Sequence, residues 1–190
     1  PAQLFVVPDH YVFRMLVSQG LKLNELGVQA LDGSIFEKDP KEIWKKFSEN
    51  YYLFRGTPTA MWLDYSFEKV FGIRELLSPA TSDFYYNHIE EKLSQPEYLP
   101  QALFDKFNIE VLSTTDSALS ELNHHSDLNK SSWGGRVVPT YRPDSIIDPE
   151  SSEFKSNIAK LAEFTEQDTS SWNGYLNAHR SRRLFFKEMG

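Results

Sequence analysis

The chain has 190 residues, of which 40% are hydrophobic and 14% aromatic, and its formal net charge is -7. This apolar content excludes a disordered chain, the acidic balance argues against a nucleic-acid groove lined with Lys and Arg, and the absence of cysteine excludes disulfides and thiolate chemistry. No apolar run approaches the roughly 20 residues that span a bilayer and no signal peptide is visible, so we expect a cytoplasmic protein without nucleic-acid or membrane partners.

The stretch "PDHYVFRMLVSQG" predicts an N-terminal helix that begins with an unusual polar sequence. Asp9 is a good N-cap, because its carboxylate can accept hydrogen bonds from the free N–H groups of the first turn, and residues 12–16 supply an apolar face. The cap leaves His10 and Tyr11 unexplained. Both lie at the positive end of the helix dipole, where an anionic ligand is favoured, so we consider them candidate site residues.

Further helix starts are indicated by a capping residue followed by proline. Asp39-Pro40 and Thr57-Pro58 each combine an N-cap with proline at the first helical position, where its missing N–H costs nothing. Another helix is predicted from about Ser82 to Leu93, and a short one after Pro100. The first half of the chain therefore reads as helical.

The pattern changes at "NIEVLSTTD" and "RVVPTYRPD", each a short apolar run of the strand type that ends in polar residues. A short helix near Ala118 to His124 and a loop around Ser126 to Gly135 are predicted between them, and two more helices after them, at about 152–166 and 170–189. A strand, a helix and a strand in this order are typical of a parallel sheet, so the fold class is α/β.

Two polar residues follow the predicted strands. Asp116 comes at the end of the first and Arg142 at the end of the second. In a barrel of alternating strands and helices, polar groups at the carboxyl ends of strands face the active site. The alternative is structural: Asp116 would cap the next helix and Arg142 would form a surface ion pair.

The remaining polar clusters favour structural interpretations. His124 and His125 are adjacent, so on a helix they point about 100° apart, and with Glu121 as the one co-ligand a turn away they are too few for a metal site. We expect both on the surface. His88 and His179 stand alone within helices. The basic run Arg180, Arg182 and Arg183 is predicted to be a solvated helix face.

Four stretches, "PDHYVFRMLVSQG", "WLDYSFEKVFGI", "NIEVLSTTD" and "VVPTYRPD", resemble in order and separation the uronate isomerase (glucuronate isomerase) family, a divergent branch of the amidohydrolase superfamily. The resemblance implies part of a (β/α)8 TIM-type barrel with a large helical insertion in the first half. Residues 1–190 would form a single incomplete domain, with the insertion at about 35–107 and the barrel portion at about 108–190.

The family's reaction is aldose–ketose isomerisation, of D-glucuronate to D-fructuronate and of D-galacturonate to D-tagaturonate. The resemblance places His10 and Tyr11 in the substrate pocket as catalytic residues, with Arg14 in support. Asp116 and Arg142 are the further substrate-binding candidates, Arg142 as a partner for the sugar carboxylate. The expected partner is a small uronate sugar, and we expect a homo-oligomer.

The resemblance also implies a divalent metal, zinc, in a full-length parent. Its His-x-His motif would lie before Pro1 and a later strand histidine and aspartate beyond Gly190, so we expect this segment alone to bind no metal. The chain begins with Pro1 rather than Met, which is typical of a processed or internal piece. One departure is Ser117, where the family usually has a second aspartate after Thr-Thr-Asp.

Two other functions stay open. A non-catalytic helical binding domain would use the same aromatic residues as core or interface. Another hydrolase of the amidohydrolase type would share the barrel architecture with different chemistry.

Overall fold

The structure is a computed structural model that describes residues 1–30 and 32–190, and it is a mixed α/β chain. Contacts between residues divide it into two compact units, Pro1–Leu99 and Pro100–Gly190. The regular elements of the first unit's described residues are all helical, and both strands lie in the second unit.

The described residues of the first unit form five α-helices and four short helical turns. The α-helices are α1 (Ala2–Phe5), α2 (His10–Ser18), α3 (Pro40–Glu49), α4 (Pro58–Tyr65) and α5 (Ser82–Leu93). Short 3-10 turns occupy Leu23–Leu26, Tyr51–Phe54 and Pro96–Tyr98, and a π-helical turn, Ser66–Val70, continues α4. The predicted helix starts after Asp39 and Thr57 are confirmed: both side chains accept hydrogen bonds from the first turn of their helices.

The core of the first unit is aromatic. Trp44 is fully buried on α3, and its indole N–H donates to the backbone carbonyl of Ser82 at 3.1 Å. Phe67 packs edge-on against Tyr85, with ring centroids 5.1 Å apart. These contacts join α3, the π-helical turn and α5, whereas the start of α2 lies at the surface of the unit.

The second unit is built around two parallel strands. Its elements are α6 (Pro100–Lys106), β1 (Val111–Ser117), α7 (Asn123–Lys130), β2 (Arg136–Arg142), α8 (Asp144–Ile147), α9 (Phe154–Thr165) and α10 (Trp172–Met189). The register pairs Val111 with Arg136 and Ser117 with Arg142. The predicted strand, helix and strand unit and its parallel pairing are thus confirmed.

The helix between the strands starts later than predicted. The expected helix near Ala118 to His124 is wrong, because Ala118 donates its N–H across to the carbonyl of Arg142 and Leu122 has a left-handed backbone with φ of 54°. α7 therefore begins at Asn123 and extends to Lys130, into the segment predicted as a loop.

A small apolar cluster forms the centre of the second unit. Ala118, Ile146, Leu161 and Ala178 are fully buried there, and Tyr141 and Tyr175 pack against them. The four residues of the cluster lie in the turn after β1 and on α8, α9 and α10. The strand ends that carry Asp116 and Arg142 are therefore next to a core that the later helices α8, α9 and α10 complete.

Among residues 1–30 and 32–190, no helix is both long enough and apolar enough to cross a membrane.

Candidate functional site

The start of α2 is capped as the sequence predicts. The Asp9 carboxylate accepts from the backbone N–H groups of Tyr11 at 2.8 Å and Val12 at 3.2 Å. Asp9 therefore has a structural role as the N-cap of α2. The next two side chains take no part in this cap.

His10, Tyr11 and Arg14 lie together on the exposed side of α2. Positions three and four apart on a helix are surface neighbours, so Arg14 lies one turn beyond His10 and Tyr11. The His10 and Tyr11 rings are 4.5 Å apart between centroids, and Tyr11 keeps 63% of its surface exposed. An imidazole, a phenol and a guanidinium thus share one polar surface at a helix N-terminus, a set that can donate to sugar oxygens and to a carboxylate.

Asp116 lies one residue before the end of β1, and its carboxylate is held by a neighbour on the same strand. The Thr114 hydroxyl donates to Asp116 Oδ2 at 2.6 Å. The alternative role for Asp116, as a cap for the next helix, is wrong: α7 begins at Asn123, its N-cap residue is Leu122, and it has no side-chain cap. The carboxylate instead stays at the strand end.

His125 is buried, which corrects the prediction that both adjacent histidines lie on the surface. Its Nε2 lies 2.9 Å from Thr114 Oγ1 and 3.9 Å from Asp116 Oδ2. His124 is exposed, as predicted. Because neighbouring helical residues point in different directions, α7 can bury one imidazole against β1 while the other faces solvent.

Arg142 forms the surface ion pair that the structural alternative predicts. Its Nε donates to Asp144 Oδ2 at 3.0 Å and its second terminal nitrogen to Oδ1 at 3.4 Å. The hydrogen bond from Arg142 lowers the pKa of Asp144. The pairing follows the Arg-Pro-Asp sequence, which places a carboxylate two residues after the guanidinium, so the motif itself carried the signal for this partner.

Arg182 contradicts the prediction of a solvated basic face. It keeps only 7% of its surface exposed, whereas Arg180 and Arg183 on the same helix are exposed. Its guanidinium donates to the carbonyls of Ala118 and Ser120 and lies over the Phe185 ring, 4.4 Å from its centroid. Burial lowers the pKa of Arg182. The side chain thus joins α10 to the turn that follows β1.

The two isolated histidines have structural partners, as expected. His88 Nε2 donates to the carbonyl of Phe71 at 2.9 Å, and His179 Nδ1 lies 2.9 Å from the Tyr141 hydroxyl. Burial lowers the pKa of His179, with a smaller contribution from Arg183.

Within the described part of the chain, no group of three or more His, Asp and Glu side chains could hold a metal ion. The pair His125 and Asp116 has only two potential ligands, and both already contact the Thr114 hydroxyl. The described residues of this segment therefore do not form a metal site by themselves.

The five predicted site residues fall into two groups. His10, Tyr11 and Arg14 belong to the first unit, and Asp116 and Arg142 to the second. Sequence reasoning missed Thr114, His125, Asp144 and Arg182, all of which contact a strand end or the turn beside it.

The sequence matches a family model described as glucuronate isomerase over residues 2–190. The chain belongs to the glucuronate isomerase family. Relatives in this family include the uronate isomerase of Rhizobium meliloti (strain 1021), 57% identical over 190 residues, and that of Mesorhizobium japonicum, 52% identical over 190 residues. Both alignments cover 100% of this chain and 40% of the relative.

Solved structures of family members agree with the sequence comparison. The glucuronate isomerase of Caulobacter crescentus matches with a TM-score of 0.92 and 43% identity, covering 100% of this chain and 39% of that one. The uronate isomerase of Thermotoga maritima matches with a TM-score of 0.81 and 30% identity, covering 96% of this chain and 38% of that one. The chain thus spans about 40% of the length of the curated family members that it matches.

Replacement of Asp9 by alanine should lower stability and leave the neighbouring side chains in place. Two N–H groups of the first turn lose their acceptor, which costs about 0.5 to 2 kcal/mol. The measurement is chemical unfolding of the full-length protein, with Gln19→Ala at the exposed far end of α2 as the matched control. An unchanged midpoint in Asp9→Ala would show that the cap contributes nothing.

Replacement of Arg182 by methionine should destabilise the protein, whereas Arg183→Met should not. Methionine keeps the contact with the phenylalanine rings but leaves two carbonyls without their donor, a loss of about 1 to 3 kcal/mol. Arg183 is exposed on the same helix, so its variant controls for the lost charge. The midpoints of chemical unfolding decide, and equal midpoints for the two variants would contradict the role assigned to Arg182.

Proposed function

We propose that the full-length protein containing this segment is a uronate isomerase that interconverts D-glucuronate with D-fructuronate and D-galacturonate with D-tagaturonate. The observation that carries the proposal is the match over the whole segment to proteins named uronate isomerase, at up to 57% identity. No specific observation favours a separate binding domain or a hydrolase.

The polar surface on α2 suits the proton transfers of this reaction. Moving hydrogen between C2 and C1 of an open-chain sugar through an enediol requires an acid, a base and a group that polarises the carbonyl. Tyr11 can donate its phenolic O–H to a sugar oxygen, and the imidazole of His10, 4.5 Å away between ring centroids, can exchange a proton beside it. Arg14 adds positive charge on the same side of the helix.

The strand ends of the second unit suit recognition of the substrate. Arg142 presents a planar guanidinium that already binds one carboxylate, that of Asp144, through two nitrogens. A uronate carboxylate has the same geometry and would replace Asp144 on this fork. Asp116 is an acceptor for sugar hydroxyl groups.

The remaining features of the proposal follow the resemblance. The two strands and their helices would be part of a (β/α)8 barrel of the amidohydrolase type, and residues 35–107, whose regular elements are all helical, would be its insertion. A divalent metal, zinc, would be bound by residues of the full-length protein. Assembly as a homo-oligomer and a cytoplasmic location complete the proposal, and a chain without cysteine suits a reducing compartment.

Replacement of Tyr11 by phenylalanine in the full-length protein should abolish most isomerisation of D-glucuronate. The lost O–H no longer stabilises charge on the sugar oxygen, so kcat should fall about a hundredfold or more. Tyr65→Phe is the matched control, since Tyr65 is a second tyrosine with 63% of its surface exposed. Failure of the wild-type protein to isomerise either uronate would overturn the proposed function. Full activity in Tyr11→Phe would remove Tyr11 from the site.

Replacement of Arg142 by methionine should weaken uronate binding and spare the fold. Loss of a charge-assisted contact to the substrate carboxylate should raise KM roughly tenfold to a hundredfold. Arg136→Met, at the opposite end of β2, is the control and should keep the wild-type KM. Equal KM values for the two variants with both uronates would exclude Arg142 as the carboxylate partner.

A further inference from the structure

A buried histidine, a threonine and an aspartate form a hydrogen-bonded row inside the second unit. His125 on α7 and Thr114 on β1 are 2.9 Å apart, from Nε2 to Oγ1, and Thr114 Oγ1 is 2.6 Å from Asp116 Oδ2. The His125 side chain is 8% exposed and that of Asp116 is 19% exposed. The row of hydrogen bonds therefore begins at the buried His125 and ends at the Asp116 carboxylate, which solvent can reach.

The chemistry of the three groups determines the direction of the hydrogen bonds. An ionised carboxylate only accepts, so the single hydroxyl proton of Thr114 is donated to Asp116. Thr114 Oγ1 must then accept from His125, which requires a proton on Nε2. The direct distance between His125 Nε2 and Asp116 Oδ2 is 3.9 Å, too long for a hydrogen bond, so the hydroxyl is the link between them.

The strand geometry makes this row a device for orienting Asp116. Residues 114 and 116 are two apart on β1 and so lie on the same face of the sheet. Thr114 Oγ1 is also 3.5 Å from the carbonyl of Val138 on β2. The hydroxyl is thus surrounded by the neighbouring strand and by the imidazole from α7, and its proton is directed toward Asp116.

We propose that Thr114 and His125 are positioning residues that hold the Asp116 carboxylate for a sugar hydroxyl of the substrate. This inference rests on the proposed isomerase function and adds a residue pair that contacts no substrate itself. Thr114 orients one carboxylate oxygen, and the partial exposure of Asp116 lets a ligand reach the group. The N–H of His125 donates to Thr114 Oγ1, and this hydrogen bond keeps the hydroxyl proton of Thr114 directed toward Asp116.

The first measurement is the protonation of the His125 ring in the full-length protein, by nitrogen NMR of histidine-labelled samples at mildly alkaline pH. The His125 signals are assigned by their loss in His125→Gln. We expect a proton on Nε2 and none on Nδ1, and a change in this pattern in Thr114→Val. An unprotonated Nε2 in the wild type would overturn the proposed direction of the row.

The second measurement is steady-state kinetics with D-glucuronate. Thr114→Val should lower kcat/KM about tenfold or more, mainly through KM, because a displaced contact group weakens productive binding. Thr114→Ser keeps the hydroxyl and should recover most of the loss. His125→Leu should behave like Thr114→Val, and His125→Gln, which retains an N–H donor at the same reach, should recover it in part.

The matched control is His124→Leu, which removes the adjacent exposed imidazole and should leave KM unchanged. A Thr114→Val variant with wild-type KM, or a loss that serine does not recover, would overturn the positioning role. Inactivity of the wild type would overturn the proposed function together with the substrate role of Asp116. The NMR pattern would still decide whether the hydrogen-bonded row exists, so the two failures are distinguishable.

Discussion

The second unit depends on the hydrogen bonds at the turn after β1. There, Ala118 donates its N–H to the carbonyl of Arg142, at 2.8 Å, and accepts from the buried guanidinium of Arg182 through its own carbonyl. One short turn thus ties the end of β1 to the end of β2 and to α10. Backbone carbonyls and aromatic rings compensate this buried cation, and losing these partners would be costly. The turn and α10 therefore stabilise each other.

The two polar candidate residues of the second unit lie beside this junction. Asp116 lies near the end of β1 and Arg142 at the end of β2, and each has a local partner, Thr114 and Asp144 respectively. The partners differ in accessibility. The ion pair of Arg142 with Asp144 is exposed, whereas the hydrogen bonds that support Asp116 lead inward to the buried His125. In the proposed function, a uronate carboxylate would replace Asp144 on Arg142, and Thr114 would keep the Asp116 carboxylate oriented.

In the first unit, helix capping separates a structural residue from the candidate site residues. Asp9 satisfies two backbone donors at the start of α2 and leaves His10 and Tyr11 exposed. Their side chains are then free for a ligand, at the end of a helix that favours anions. Asp9 thus stabilises the helix start, and the adjacent His10 and Tyr11 carry the proposed chemistry. The stretch that carries the resemblance to the glucuronate isomerase family also contains these exposed side chains.

The sequence by itself determined the local elements, because capping and strand patterns depend on neighbouring residues. Helix starts at Asp9, Asp39 and Thr57 and the parallel pair of strands all followed from it. Only the tertiary structure decided which members of similar runs are buried. One of two adjacent histidines and one of three arginines turn inward to partners 11 and 64 residues away in the chain. Such partners come together only through packing, which local periodicity does not encode.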